Sequence, residues 1–311
     1  MKAKFGIYGS GTIGACEATL TAGNGYSTVV VGHSKTGLER CRRMIEQNWD
    51  DLIKEGLAGA KNKAAAMALT QITDDPAVLE GCSMVFEAVA EDTEVKQNVY
   101  AAITKHGGTE VPVASTTSSI DAAILAKLID NPARFLIAHP FQPAHMLPLV
   151  EVVRHEQTSE QTVETVCGLL RDLNRQIVIL NRSVPGFLVN RFAQALFRES
   201  IYLIEQGVTT AEDIDRAVKY AVGMRYASIG LLEYYDAVGF ALERDIARNV
   251  YPDLCGTREI QKTTADGLAC GKTGQAAGQG LFDWTKKDAD DFRYRKQAPY
   301  LDDVRLWHMP E

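Results

Sequence analysis

The chain has 311 residues, enough for two domains that each bury a core, and its 46% hydrophobic and 23% charged residues are an ordinary globular balance. A net charge of −7, a pI near 5.5 and scattered Lys and Arg exclude a nucleic-acid surface, which needs a basic patch. No apolar run reaches the length of a membrane span, and the six cysteines stand singly without a Cys-x-x-Cys pair, which argues for no metal centre and for reduced thiols in the cytoplasm. So few residues precede the first apolar segment that no signal or transit peptide is expected.

In chain order, residues 5–8 and 28–31 are short β-rich runs on either side of a glycine turn and a helical segment. That is a βαβ unit and implies a parallel sheet. Further buried strands are predicted at 84–88, 111–114, 135–138, 149–153 and 176–180, with helices at 36–55, 92–105, 121–129 and 160–172 between them. Near Asn181 the texture changes, and the later patterns are helical, at 189–206, 211–222, 237–251 and 258–270. Proline and glycine punctuate the transition. The spacing therefore predicts an α/β fold: a Rossmann-like dinucleotide-binding domain over residues 1–183, then an all-helical domain over 184–311. The tail from Asp283 is charged and aromatic, with no legible period.

Gly9-Ser10-Gly11-Thr12-Ile13-Gly14 matches G-x-G-x-x-G directly after a strand and at the opening of a helix. The first glycine serves the tight turn, the second lets backbone approach a pyrophosphate, and the third allows close helix–strand packing. Gly9, Gly11, Thr12, Ile13 and Gly14 are thus the candidate cofactor loop, with phosphate at the helix N-terminus. Where the second strand ends, NAD-selective folds place an acid for the ribose hydroxyls. This chain reads Val31-Gly32-His33-Ser34-Lys35, with no carboxylate. His33, Ser34 and Lys35 can donate to a 2′-phosphate, so NADP is slightly favoured over NAD, and a less selective NAD site is the alternative.

Further motifs follow in order: Phe86-Glu87-Ala88-Val89-Ala90-Glu91, Ser115-Thr116-Thr117-Ser118-Ser119, His139-Pro140-Phe141-Gln142-Pro143, Leu149-Val150-Glu151-Val152 and Pro185-Gly186-Phe187-Leu188-Val189-Asn190-Arg191. Together with the glycine loop they resemble the 3-hydroxyacyl-CoA dehydrogenase family over residues 5–282. The resemblance implies an NAD(P)-dependent enzyme that moves a hydride between the cofactor and a 3-hydroxyl or 3-keto group. His139 is the implied acid–base residue, a role that suits an imidazole near its working pH. Glu151, in the following strand, can accept from its second ring nitrogen. Ser118 and Asn190 are implied to bond the substrate oxygen, and Glu91 and Lys96 to lie near the nicotinamide and its ribose. The family pairs through its helical domain, so a homodimer is expected, with apolar stretches 196–204 and 234–240 suited to the interface.

His139-Pro140 and Gly223-Met224-Arg225-Tyr226-Ala227 look like the branch that includes L-gulonate 3-dehydrogenase, lambda-crystallin and L-carnitine dehydrogenase. Gln142 departs from the asparagine usual there. Arg225 is the sharpest substrate candidate, because a guanidinium clamps the carboxylate of a free hydroxy or keto acid with two parallel hydrogen bonds. The plain alternative is pairing with Glu233 or Glu199. A short-chain 3-hydroxyacyl-CoA dehydrogenase and a crystallin-like structural protein are the competing functions. The intact His139 and Glu151 pair argues against the second.

Overall fold

The structure is a computed structural model and describes residues 2–307. Eight strands form one sheet: β1 (Lys4–Tyr8), β2 (Ser27–Val31), β3 (Thr70–Thr73), β4 (Met84–Glu87), β5 (Val113–Ser115), β6 (Phe135–Pro140), β7 (Leu149–Val153) and β8 (Gln176–Leu180). Their order is β3-β2-β1-β4-β5-β6-β7-β8. Neighbours through β6 are parallel, β7 runs antiparallel to β6, and β8 is parallel to β7.

Alternation along the strands fills a core on each face of the sheet. Ile7, Val30, Phe86, Ala114 and Leu136 pack on one side with α1 (Thr12–Gly23), α2 (Lys35–Lys54), α3 (Ala60–Leu69) and α6 (Glu160–Asp172). Val31, Val85, Val113, Phe135 and Ile137 pack on the other with α4 (Thr93–Gly107) and α5 (Ala122–Ala126). Side-chain oxygens cap these helices where the sequence placed short polar residues: Ser34 accepts from Gly37 N, Asp92 from Val95 N, and Ser159 from Thr162 N.

The chain divides into two compact units, one of residues up to Leu188 together with the segment from Arg293, the other Val189–Phe292. Sequence alone predicted a break at 183/184 and left the tail with the helical part. Contacts with the first unit continue a few residues past 183: Phe187 is buried in its core, and Leu188 N donates to Glu151. The last helix, Ala289–Trp307, brings Leu301 back onto Met146 and Leu57 of the first unit. The second unit is helical, starting with α7 (Val189–Glu205).

Other differences have local causes. β3 and α3 were not foreseen, because Thr-Gln-Ile-Thr carries too little apolar signal for a strand. The helix expected over 237–251 splits at Gly239, whose φ of +95° ends one helix before Phe240–Val250 begins. The helix expected over 211–222 ends at Ala217 and continues as a π-helical turn, Val218–Gly223. Among the described residues, no helix is long and apolar enough to cross a membrane, and no His/Cys/Asp/Glu cluster is placed to hold a metal ion.

Glu17, in the middle of α1, is 3% exposed and raised from the ordinary 4.5 to about 7 by burial, against a lowering from Arg175. A carboxylate raised on folding holds its proton longer in the folded state. Its contribution is therefore complete below pH 4.5 and is lost as pH climbs through about 7. Glu17→Gln removes that loss, which is on the order of 3 kcal/mol. Thermal melts should show the variant gaining on the parent at pH 8 and showing little or no advantage near pH 5. Equal differences at both pH values would mean that Glu17 does not titrate in this window.

Candidate active site

Gly9 follows β1 at φ +136°, and a Cβ there would lie 2.2 Å from the Ala88 carbonyl oxygen. A Cβ at Gly14 would lie 1.9 Å from the Gly9 oxygen, so the turn and the helix–turn contact both require glycine. Gly11 differs, because a Cβ on it would meet nothing within 4 Å. It opens α1 with no side-chain cap and no acid in the first turn, so the positive end of the helix faces open space above Gly11. Thr12 and Ile13 carry the first helical amides. This cradle fits a dinucleotide pyrophosphate.

At the end of β2, Gly32 N donates to Thr73 O, and His33 and Lys35 are exposed. Ser34 caps α2 by accepting from Gly37 N, which leaves its hydroxyl proton free to donate. The rim carries no carboxylate from residue 32 to 35.

His139 lies in β6 and pairs in register with Glu151 on antiparallel β7. That register puts both side chains on one face, with Nδ1 2.9 Å from Glu151 Oε2. Glu151 is fully buried and its Oε1 accepts from Leu188 N at 2.9 Å. Phe141 and Phe187 flank the imidazole edge-on, with ring centroids 4.7 and 5.4 Å away. Phe187 does so from a positive φ of 49°. Both phenylalanines stand in motifs visible in the sequence, but only the folded geometry shows that they wall the histidine.

A second buried carboxylate, Glu87, closes β4. It was visible in the sequence without an assigned role. Val89 N and Lys96 Nζ donate to its Oε1 at 3.0 and 2.7 Å, and Tyr100 OH and Ser115 Oγ to its Oε2 at 2.9 and 2.7 Å. Burial, and then the charge of Glu87, push the Tyr100 phenol far up, which keeps it a donor. Lys96 is 1% exposed and also reaches Glu91 Oε2 at 3.4 Å. Its ammonium is thus held between the Glu87 and Glu91 carboxylates, at the place where a contact with the cofactor ribose is expected. Glu91 Oε1 accepts from Thr117 Oγ1 at 2.8 Å and Ser118 N at 3.0 Å. The side chain of Ser118 is exposed.

In the second unit, Asn190 is half-buried in the first turn of α7. Arg225 is exposed just after the π-helical turn, its Cζ 4.5 Å from the Tyr234 ring centroid. It makes no ion pair among the described residues. Glu199 instead accepts from Cys255 N at 2.8 Å.

The His139–Glu151 geometry predicts that Glu151→Gln disturbs the histidine tautomer and lowers turnover by about 10²- to 10⁴-fold. His139→Ala should remove turnover to a similar or greater degree while NADH affinity stays near normal. Steady-state rates with NADH fluorescence titration check both, and a Glu151→Gln enzyme of normal rate would deny the pair its catalytic part.

Residues 4–183 match the 3-hydroxyacyl-CoA dehydrogenase NAD binding domain, and residues 186–284 match the C-terminal domain of the same family. A relative from Mesorhizobium japonicum, 5-formyl-3-hydroxy-2-methylpyridine 4-carboxylate 5-dehydrogenase, is 31% identical over 90% of each chain. L-carnitine dehydrogenase of Staphylococcus epidermidis is 30% identical over 73% of this chain and 70% of its own. Among solved structures, the pyridine-carboxylate dehydrogenase, described as an NAD+ dependent dismutase, superposes with a TM-score of 0.87 at 29% identity over all of both chains. (S)-3-hydroxybutyryl-CoA dehydrogenase from Ralstonia eutropha gives 0.76 at 28% identity, over 92% of this chain and 100% of its own. The chain belongs to the 3-hydroxyacyl-CoA dehydrogenase family, NAD-dependent dehydrogenases that act on CH–OH groups.

Proposed function

We propose that this protein oxidises the hydroxyl of a small free 3-hydroxy acid, or reduces the matching keto acid, rather than working on a CoA thioester. The observation that carries the reading is Arg225, an exposed guanidinium braced on Tyr234 that makes no ion pair among the described residues. Its planar fork suits a substrate carboxylate, and a thioester offers no such charge. Two relatives act, by name, on a pyridine 4-carboxylate and on L-carnitine, both of which carry a free carboxylate.

The acid–base chemistry follows from the β6–β7 pair. With Nδ1–H donated to Glu151, Nε2 of His139 is the free acceptor for the hydroxyl proton. Buried Glu151 then stabilises the imidazolium until the proton leaves. A bound nicotinamide supplies the hydride acceptor. The Ser118 hydroxyl and the Asn190 side chain hold the substrate oxygen, polarising it when the reaction runs toward reduction. Glycine-loop residues Gly9 to Gly14 hold the pyrophosphate. We infer that the rim at His33, Ser34 and Lys35 accepts NADP as well as NAD, since residues 32 to 35 carry no carboxylate to repel a 2′-phosphate.

The protein is also inferred to be a cytoplasmic homodimer. All six cysteines are free, which suits a reducing compartment. The second unit leaves a run of large apolar side chains in water, among them Phe192 at 53%, Leu232 at 80% and Phe240 at 75% exposed. Faces of that kind call for a second copy. Light scattering should give twice the 34.1 kDa chain mass. A monomer at micromolar concentration would leave those faces without this explanation.

Cofactor absorbance on a panel of free 3-hydroxy acids, L-carnitine and 3-hydroxybutyryl-CoA, each with NAD and NADP, tests the substrate reading. Turnover of a free acid is expected, with Arg225→Met raising its KM at least about tenfold, as the loss of a charged hydrogen bond implies. Turnover of the thioester alone, or equal effects of Arg225→Met on acid and thioester, would move the protein to the CoA branch and make Arg225 structural.

A further inference from the structure

The end of β4 carries more buried polar chemistry than a strand terminus needs. Glu87 is fully buried, and each of its oxygens accepts two protein donors: Val89 N and Lys96 Nζ on one, Tyr100 OH and Ser115 Oγ on the other. The Lys96 ammonium lies 2.7 Å from Glu87 and 3.4 Å from Glu91, so the deeper carboxylate has the firmer hold on it. The Glu91 side chain is 41% exposed, and there the network meets open space. Strand order places these groups. The sheet reverses between β1 and β4, and a dinucleotide crosses such a reversal with one mononucleotide half over each set of strands. The rim at the end of β2 belongs to the adenosine half, so the end of β4 belongs to the nicotinamide half. Close contact fixes the two against each other. A Cβ on Gly9 would lie 2.2 Å from Ala88 O and 3.1 Å from Val89 N, the amide that Glu87 holds.

We propose that Glu87 is a positioning residue for the nicotinamide half of the cofactor: it holds the Lys96 ammonium, and through it Glu91, at the edge of the crevice. This rests on the reading of Glu91 and Lys96 as neighbours of the nicotinamide ribose. A lysine carries a compact charge on a flexible stem, so nothing in its own chemistry fixes where the ammonium sits. Glu87 supplies that constraint through a charge-assisted bond in a site closed to water. Tyr100 and Ser115 complete it, because the protons they donate occupy the other oxygen and fix the plane of the carboxylate. With the charge of Glu87 removed, Lys96 is left with Glu91 alone, which stands at the surface. The ammonium then follows Glu91 outward and the ribose side of the crevice loses its shape. A glutamine at 87 keeps an oxygen for Val89 N, so the backbone packed on Gly9 keeps its acceptor.

Two ligands separate a positioning part from a merely structural one: NADH, and ADP, which has the adenosine half and the pyrophosphate but no second ribose. Glu87→Gln should weaken NADH binding about tenfold, the scale of a displaced charged contact, and ADP binding by no more than about twofold. Lys96→Met should weaken NADH to at least that extent. The double variant should bind NADH no worse than Lys96→Met, because Glu87 acts through the lysine. Titration of NADH fluorescence and calorimetry with ADP supply the constants, and thermal melts show that each variant is folded. If Glu87→Gln leaves the ammonium too poorly paired to fold, the double variant holds no such charge, and its comparison with Lys96→Met makes the same test. Equal losses for NADH and ADP, or a double variant weaker than Lys96→Met, would overturn the proposal and make Glu87 a purely structural carboxylate. A Lys96→Met loss beside a silent Glu87→Gln would overturn it too, with the ribose reading intact. Unchanged NADH affinity in Lys96→Met would overturn the ribose reading and this with it.

Discussion

A single reversal of strand direction brings His139 and Glu151 together. β1 to β6 run parallel, and β7 turns back against β6, which is what sets Glu151 opposite His139. In a parallel continuation the two side chains would be staggered and no such cross-strand pair would form. The carboxylate is fully buried, where an isolated charge is costly, and His139 and Leu188 N meet its two oxygens. The same residue thus holds the His139 ring and ties down the chain at Leu188.

Glu87 repeats that logic one layer away. It collects donors from β4's own turn, from α4 and from β5, so a single carboxylate sets the relative positions of three elements. The glycine loop sits beside it, since Tyr8 of β1 pairs in register with Glu87 and Gly9 comes next. The glycine loop, the His139–Glu151 pair and the Ser118 turn are therefore all placed by strand ends or cross-strand registers of one sheet. Glu17 and His145 show the opposite case. Burial is what acts on them, pushing Glu17 up to about 7 and His145 down to about 4.

The second unit is organised differently. Among its own residues few large apolar side chains are buried, Ile201 being one, and long apolar faces are left open. Its π-helical turn, a feature often found at functional sites, immediately precedes Met224 and Arg225. Stacking on Tyr234 holds the guanidinium without consuming its hydrogen-bond edges, which is the arrangement a carboxylate ligand needs.

What the amino-acid order determined alone is everything governed by short range. The β-rich runs, the glycine spacing, the helix caps and the change of texture near Asn181 all follow from local sterics and periodicity, and the structure shows the strands and most of the helices there. The motif order also announced the family and singled out His139 and Glu151. Only the tertiary structure decided which groups meet. That Lys96 is buried between two carboxylates, that Phe141 and Phe187 wall the histidine, and that Glu91 holds the Ser118 turn all depend on register and strand order across dozens of residues. The chain's return to the first unit at Leu301 is of the same kind. Sequence spacing does not encode such contacts, because the cost and reward of burying a charge are set by neighbours that arrive from elsewhere in the fold.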